Sequence, residues 1–113
     1  MMDEQTFHRA ADEALEGVRR ALEPAADEHG FEVDYNAGVL AIEFEEPAPA
    51  KFVLSPNTPV RQVWVSALAK SFKLGWSEAE GTFVLAETGE TLERLIGRVV
   101  GLQLGVEVRL GAQ

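Results

Sequence analysis

Apolar residues near the start of the chain recur at steps of three and four. Phe7, Ala11, Ala14, Leu15, Val18 and Leu22 fall on one stripe, which predicts a helix over residues 4–22. Asp3 and Glu4 stand where the helix dipole favours negative charge. Pro24 predicts a stop or kink, because proline inside a helix removes a hydrogen bond and costs roughly 3 kcal/mol. Residues 25–29 have room for one more turn before Gly30 ends it. From Phe31 the period drops to two. Strands are predicted at about 31–36, 39–44, 51–55, 60–67, 69–76 and 82–87. Ala37-Gly38 supplies a tight turn, and Pro47 and Pro49 keep the 45–49 loop out of any ladder. In the second strand Leu40, Ile42 and Phe44 share a face; in the fifth, Phe72, Leu74 and Trp76 do. A second helix opens near Thr88 or Thr91, with the stripe Leu92, Leu95, Ile96, Val99 and Leu102. Gly97 and Gly101 weaken it intrinsically but let it lie close to a neighbour. Residues 105–110 read as a short extended tail.

The order is helix, about six strands with short links, helix. Short links make neighbouring strands antiparallel. Two helices with one apolar stripe each fit a sheet with one apolar face to cover. The predicted fold is therefore α+β: residues 1–113 as a single two-layer sandwich, both helices on one face of the sheet and the other face open to solvent.

Charge changes this picture by making it lopsided. The net charge is −9. Residues 1–46 hold 13 of the 19 acids against three arginines, a net −10, whereas residues 47–113 hold six acids against seven bases, a net +1. Such a field repels nucleic acid and attracts cations or a basic protein surface. The chain has no cysteine, which removes disulfides, thiol nucleophiles and cysteine-held clusters, and suits a reducing cytoplasm. The start is acidic with no apolar run, unlike a signal peptide, and no segment is long enough or apolar enough to span a membrane. No phosphate-binding loop, nucleophile elbow or His-Glu-x-x-His motif is present, so the chain is expected not to be an enzyme.

One grouping of chemical interest remains. Glu4, His8, Asp12 and Glu16 step by four along one side of the first helix, and Glu23, Asp27, Glu28, Glu32 and Asp34 gather where that helix hands over to the first strand. Carboxylates with an occasional imidazole suit hard cations such as iron, manganese, magnesium or calcium, and spacing does not choose among them. An acidic exposed helix is also what a solvated face looks like, and Arg19 and Arg20 stand at pairing distance from Glu16 and Glu23.

The segment 57–65 carries the last signal. After Thr58-Pro59, Gln62 and Trp64 alternate with Val63 and Val65. Periodicity allows either set to be the core. Phe7-His8-Arg9-x-Ala11-Asp12, Gly38-Val39-Leu40, Thr58-Pro59-x-x-Gln62-Val63-Trp64, Trp76 and Gly89-Glu90-Thr91 occur in this order. Together, from about Thr6 to Leu110, the chain resembles the frataxin family in its bacterial CyaY-like branch. The resemblance implies the same sandwich, with Trp64 on the open face. It implies a soluble cytoplasmic protein that binds iron (Fe2+ or Fe3+) weakly through carboxylates of the first helix and first strand. It further implies regulation of iron–sulfur cluster assembly through contacts with a cysteine desulfurase and an iron–sulfur scaffold protein. No nucleic acid or membrane partner is implied, and the iron-free protein is expected to be a monomer. By position, Asn57, Gln62, Trp64 and Lys73 are the partner-binding candidates. A weak ferroxidase activity is conceivable, without a dedicated Glu-x-x-His pair behind it. The competing reading is an acidic protein-interaction module with no physiological metal. This chain departs from the family where Arg19 and Arg20 replace expected acids and Pro24, Ala26 and Gly30 thin the ridge; the proline-rich loop after the second strand is also longer.

Overall fold

The computed structural model describes residues 2–110. Helix α1 spans Glu4–His29. Strands β1 (Glu32–Asn36), β2 (Val39–Phe44) and β3 (Ala50–Asn57) follow. A single 3-10 turn at Thr58–Val60 leads into β4 (Gln62–Ala67). Then come β5 (Lys70–Ser77), β6 (Thr82–Leu85), the two-residue β7 (Glu90–Thr91) and helix α2 (Leu92–Leu104). Among the described residues the sheet has seven strands, antiparallel throughout and in chain order. The α+β sandwich is as expected. The additional strand is β7, too short to show a period, formed because Val84 and Leu85 pair with Thr91 and Glu90.

Alternation sorts the sheet cleanly. Leu40, Ile42, Phe44, Phe52, Leu54, Val63, Val65, Leu74, Phe83 and Leu85 are buried against Phe7, Leu15 and Leu22 of α1 and Leu92, Leu95, Ile96 and Val99 of α2. Full burial of each large side chain stabilises by about 1.5–3 kcal/mol. Trp76 lies on this side too, half-buried and edge-on to Phe83 at 5.3 Å. No helix among the described residues packs on the opposite face.

The extra turn expected after Pro24 forms, and one expectation, at Leu102, is corrected. Helix α1 continues through Pro24 to His29 and ends at Gly30, which takes the left-handed conformation (φ 76°) and donates its N–H to Ala26 O at 2.8 Å. Ala25 and Ala26 pack against the core beyond the proline, so tertiary contacts hold the last turn. Leu102 is 61% exposed rather than in the α2 stripe. It lines the groove between α2 and the returning tail.

That tail explains both helix glycines. Gly105 turns left-handed (φ 76°) and the chain doubles back along α2, burying Leu110. A Cβ on Gly101 would lie 2.7 Å from Val106 O, and one on Gly97 3.0 Å from Val108 O. Gly17 in α1 differs: a Cβ there meets nothing within 4 Å. Opposite responses to the same change follow. Gly17→Ala should raise unfolding stability by about 0.5–1 kcal/mol, the usual helix gain. Gly101→Ala should lower it by about 1–3 kcal/mol by forcing the tail off. Thermal or urea denaturation of the two variants measures both signs.

Candidate functional site

Two surfaces carry the candidate residues. On the bare sheet face, pairing brings all four partner-binding candidates together. Asn57 is opposite Gln62 across β3–β4, and Trp64 is opposite Lys73 across β4–β5. Since Val63 and Val65 are buried, Gln62 and Trp64 must point the other way. Trp64 is 37% exposed, so the open-face reading of the 62–65 alternation is correct. Its indole Nε1 donates to Gln62 Oε1 at 2.8 Å, and Lys73 Nζ sits 4.6 Å from the ring centroid. The ring is thus held from one side by an amide and from another by an ammonium, whose attraction is worth about 0.5–1 kcal/mol at an exposed site. The neighbouring Ser55, Ser66 and Ser71 are small, which leaves part of the ring open to solvent.

The acidic surface is organised differently from the sequence expectation. Along α1, His8 Nε2 contacts Thr58 Oγ1 at 3.0 Å. Asp12 accepts a hydrogen bond from the Tyr35 hydroxyl. Arg19 is clamped between Glu16 and Glu23, with Nε donating to Glu16 and an η nitrogen to Glu23, each at 2.8 Å. These two carboxylates raise the Arg19 pKa, chiefly through the Glu16 hydrogen bond. Arg20 is exposed and makes no ion pair among the described residues. Glu4, Asp27 and Glu28 are exposed; Glu28 lies 3.9 Å from the His29 ring. Arg19 therefore pairs as its spacing predicts, and together with Arg20 it offsets the Glu16 and Glu23 charges in the middle of the row.

Glu32 and Asp34 do not join this row. Val33 and Tyr35 are the half-buried residues of β1 that pack against the core, so Glu32 and Asp34 leave on the bare face. There Glu32 faces Glu43 directly across β1–β2, and Glu43 in turn faces Lys51. Sequence reading missed Glu43 and Tyr35. Glu43 is found only by strand register. The alternation of Glu32-Val33-Asp34-Tyr35-Asn36 was a visible signal for Tyr35. Burial, followed by its bond to Asp12, raises the Tyr35 pKa well above the ordinary phenol value.

The donors suit a hard cation chemically, but they do not form a cage. Among the described residues no group of three or more His, Asp or Glu side chains converges on a common point. Any cation on this surface keeps most of its water and is held by exposed, screened charges.

An acidic domain with one sheet face under two helices and the other presenting a fixed tryptophan is the class these features define. The family model of the frataxin-like domain matches residues 1–106. A protein of Ralstonia nicotianae named iron-sulfur cluster assembly protein CyaY is 31% identical over 113 residues, covering 98% of this chain and 96% of that one. A protein of the same name from Azotobacter vinelandii is 29% identical over 107 residues, covering 95% and 94%. A solved frataxin of Psychromonas ingrahamii shares the fold with a TM-score of 0.78 at 20% identity, covering 96% and 97%. The chain belongs to the frataxin-like family. No helix among the described residues is long and apolar enough to cross a membrane.

The Trp64 environment yields a direct expectation. Trp64 lies on the solvent side of the sheet, outside the core cluster, so Trp64→Ala should change unfolding stability by about 1 kcal/mol or less. Val63→Ala, one residue away and fully buried, should cost clearly more, about 1–2.5 kcal/mol. Denaturant titration of the two variants compares the faces.

Proposed function

We propose that this protein takes part in iron–sulfur cluster assembly as an iron-binding regulator that docks on a cysteine desulfurase and a scaffold protein, rather than as an enzyme. The observation that carries the reading is the Gln62–Trp64–Lys73 arrangement. It is a large aromatic held rigid on an uncovered polar sheet face, in a chain whose relatives over nearly its full length are named for cluster assembly. Exposed, pre-ordered tryptophans are favoured as binding hot spots, because little side-chain entropy is lost on docking. The acidic N-terminal part supplies the second element, a surface that attracts iron as cargo and steers a basic partner. On this reading the protein works in the cytoplasm, is a monomer without iron, and carries iron loosely.

Docking is tested by pull-down with the purified desulfurase and scaffold. Trp64→Ala should weaken capture on the order of tenfold or more, the effect of losing a hot-spot aromatic, while the fold is retained. Unchanged capture would remove the sheet face from the proposal.

Iron binding is tested by anaerobic Fe(II) titration followed by amide shifts. Shifts should divide between the start of α1 (Glu4, His8, Asp12) and its far end (Glu23, Asp27, Glu28), because Arg19 and Arg20 repel a cation from the stretch between them. Arg19→Glu combined with Arg20→Glu should tighten Fe(II) binding on the order of three- to tenfold, and added salt should weaken it in both proteins. The competing reading is an acidic interaction module with no physiological metal. It is favoured by the missing cage, and it predicts no localised shifts and no effect of the arginine substitutions.

A further inference from the structure

Helix α2 leaves one stripe uncovered. Arg94, Arg98 and Leu102 follow one another at four-residue steps on its outer side, and all three are exposed. Beside them the buried glycines Gly97 and Gly101 and the returning tail enclose a groove of about 550 Å³. Leu102 is 61% exposed and Val106 in the tail 45%, so two bare apolar side chains line the same groove. Its charges are unevenly matched. Arg98 gives Nε and one η nitrogen to Glu90, at 2.7 and 3.0 Å, which holds the guanidinium in place and leaves the other η nitrogen unused. Glu107, at the tail edge, is paired with Arg109 at 3.0 Å. Glu93 lines the cleft toward α1 instead. Arg94 forms no ion pair among the described residues. The groove thus presents an uncompensated cation at one end and an apolar pair at the other, on a chain whose net charge is −9.

We propose that this groove is the docking site for an acidic amphipathic helix of a partner protein, with carboxylates one turn apart on Arg94 and Arg98 and a leucine-sized side chain between Leu102 and Val106. Arg94 to Leu102 spans roughly 12 Å of helix axis, which a partner helix of about three turns covers. An i, i+4, i+8 face is what a helix offers to a groove, and a guanidinium with free N–H groups gains most from a carboxylate. The charge selects an acidic partner, and the exposed Leu102 and Val106 select one that brings an apolar side chain with its acids. A second copy of this chain does not match. Its acids are concentrated on α1, but α1 keeps Phe7, Leu15, Val18 and Leu22 inside and none of the large exposed apolar residues lies on it. The three residues after Leu110 bring no acidic side chain. Helix α2 packs on the side of the sheet opposite Trp64, so a helix on α2 leaves the bare sheet face free for another partner.

The probe is a synthetic helical peptide of about four turns, capped at both ends, with glutamates one turn apart, a leucine one turn further on and alanine and glutamine elsewhere. Titrated into the isotope-labelled protein, it should move the amide signals of residues 94–108 and leave those of 62–73 in place. Arg94→Glu should weaken binding on the order of tenfold, and Leu102→Ser by a similar factor. Both positions are exposed, and a glutamate three residues after the capping Thr91 suits the start of α2, so the fold is kept. A peptide with both glutamates replaced by glutamine should also bind on the order of tenfold more weakly, and added salt should erase that difference. No shifts on α2 overturn the proposal. So does binding indifferent to Arg94→Glu or to the peptide's glutamates, which reduces the groove to an unselective apolar surface. Shifts of the same amides on concentrating the protein without peptide assign the groove to a second copy of the chain and overturn it equally.

Discussion

One-sided burial of the sheet is the constraint from which the other features follow. The apolar stripes of α1 and α2 are enough to cover one face of the sheet, and every strand must therefore offer its apolar residues to that same face. The period of a strand is two, so placing Val63 and Val65 inside sends Gln62 and Trp64 outside with no further choice. The same rule puts Glu32 and Asp34 on the bare face and turns Tyr35 toward α1. A single registry decision at the core thus distributes the chemistry of both surfaces.

The two surfaces differ in how firmly they are built. On the sheet, Trp64 is fixed by an amide hydrogen bond and an ammonium contact, so the orientation of its ring is set within the free protein. On α1, much of the charge is already engaged. Arg19 binds two carboxylates, Thr58 meets His8, and Tyr35 holds Asp12. A cation must compete with these neighbours or settle among the exposed acids at the helix ends. Loose, exchangeable binding is all that such a surface could offer a cation.

The far end of the molecule shows a different economy. Helix α2 carries glycines at two positions one turn apart, which would weaken a free helix. Here the missing side chains leave room for the carbonyl groups of Val106 and Val108 to approach the helix and let Leu110 reach the core. The loss of helix propensity is offset by closure of the tail, so this end of α2 is held by long-range packing. Thr91 caps the other end by accepting from the Arg94 N–H, and Arg98 returns to Glu90 with two hydrogen bonds.

The sequence by itself determined the sandwich, six of the seven strands and the family. These rest on periodicity, turn residues and motif order, all local properties of the chain. It also supplied the pairing of Arg19 with Glu16 and Glu23, since three- and four-residue spacing on a helix makes them neighbours wherever the helix lies. Tertiary structure decided the rest. The strand β7 exists because β6 offers it a partner, and α1 passes Pro24 because the core holds the turn beyond it. Leu102 is exposed and lines the groove beside the returning tail. The face of Trp64, the opposition of Glu32 and Glu43, and the meeting of Tyr35 with Asp12 depend on register between segments far apart in the chain. A period of two says that side chains alternate but not which set faces inward, and only packing against the helices settles that parity.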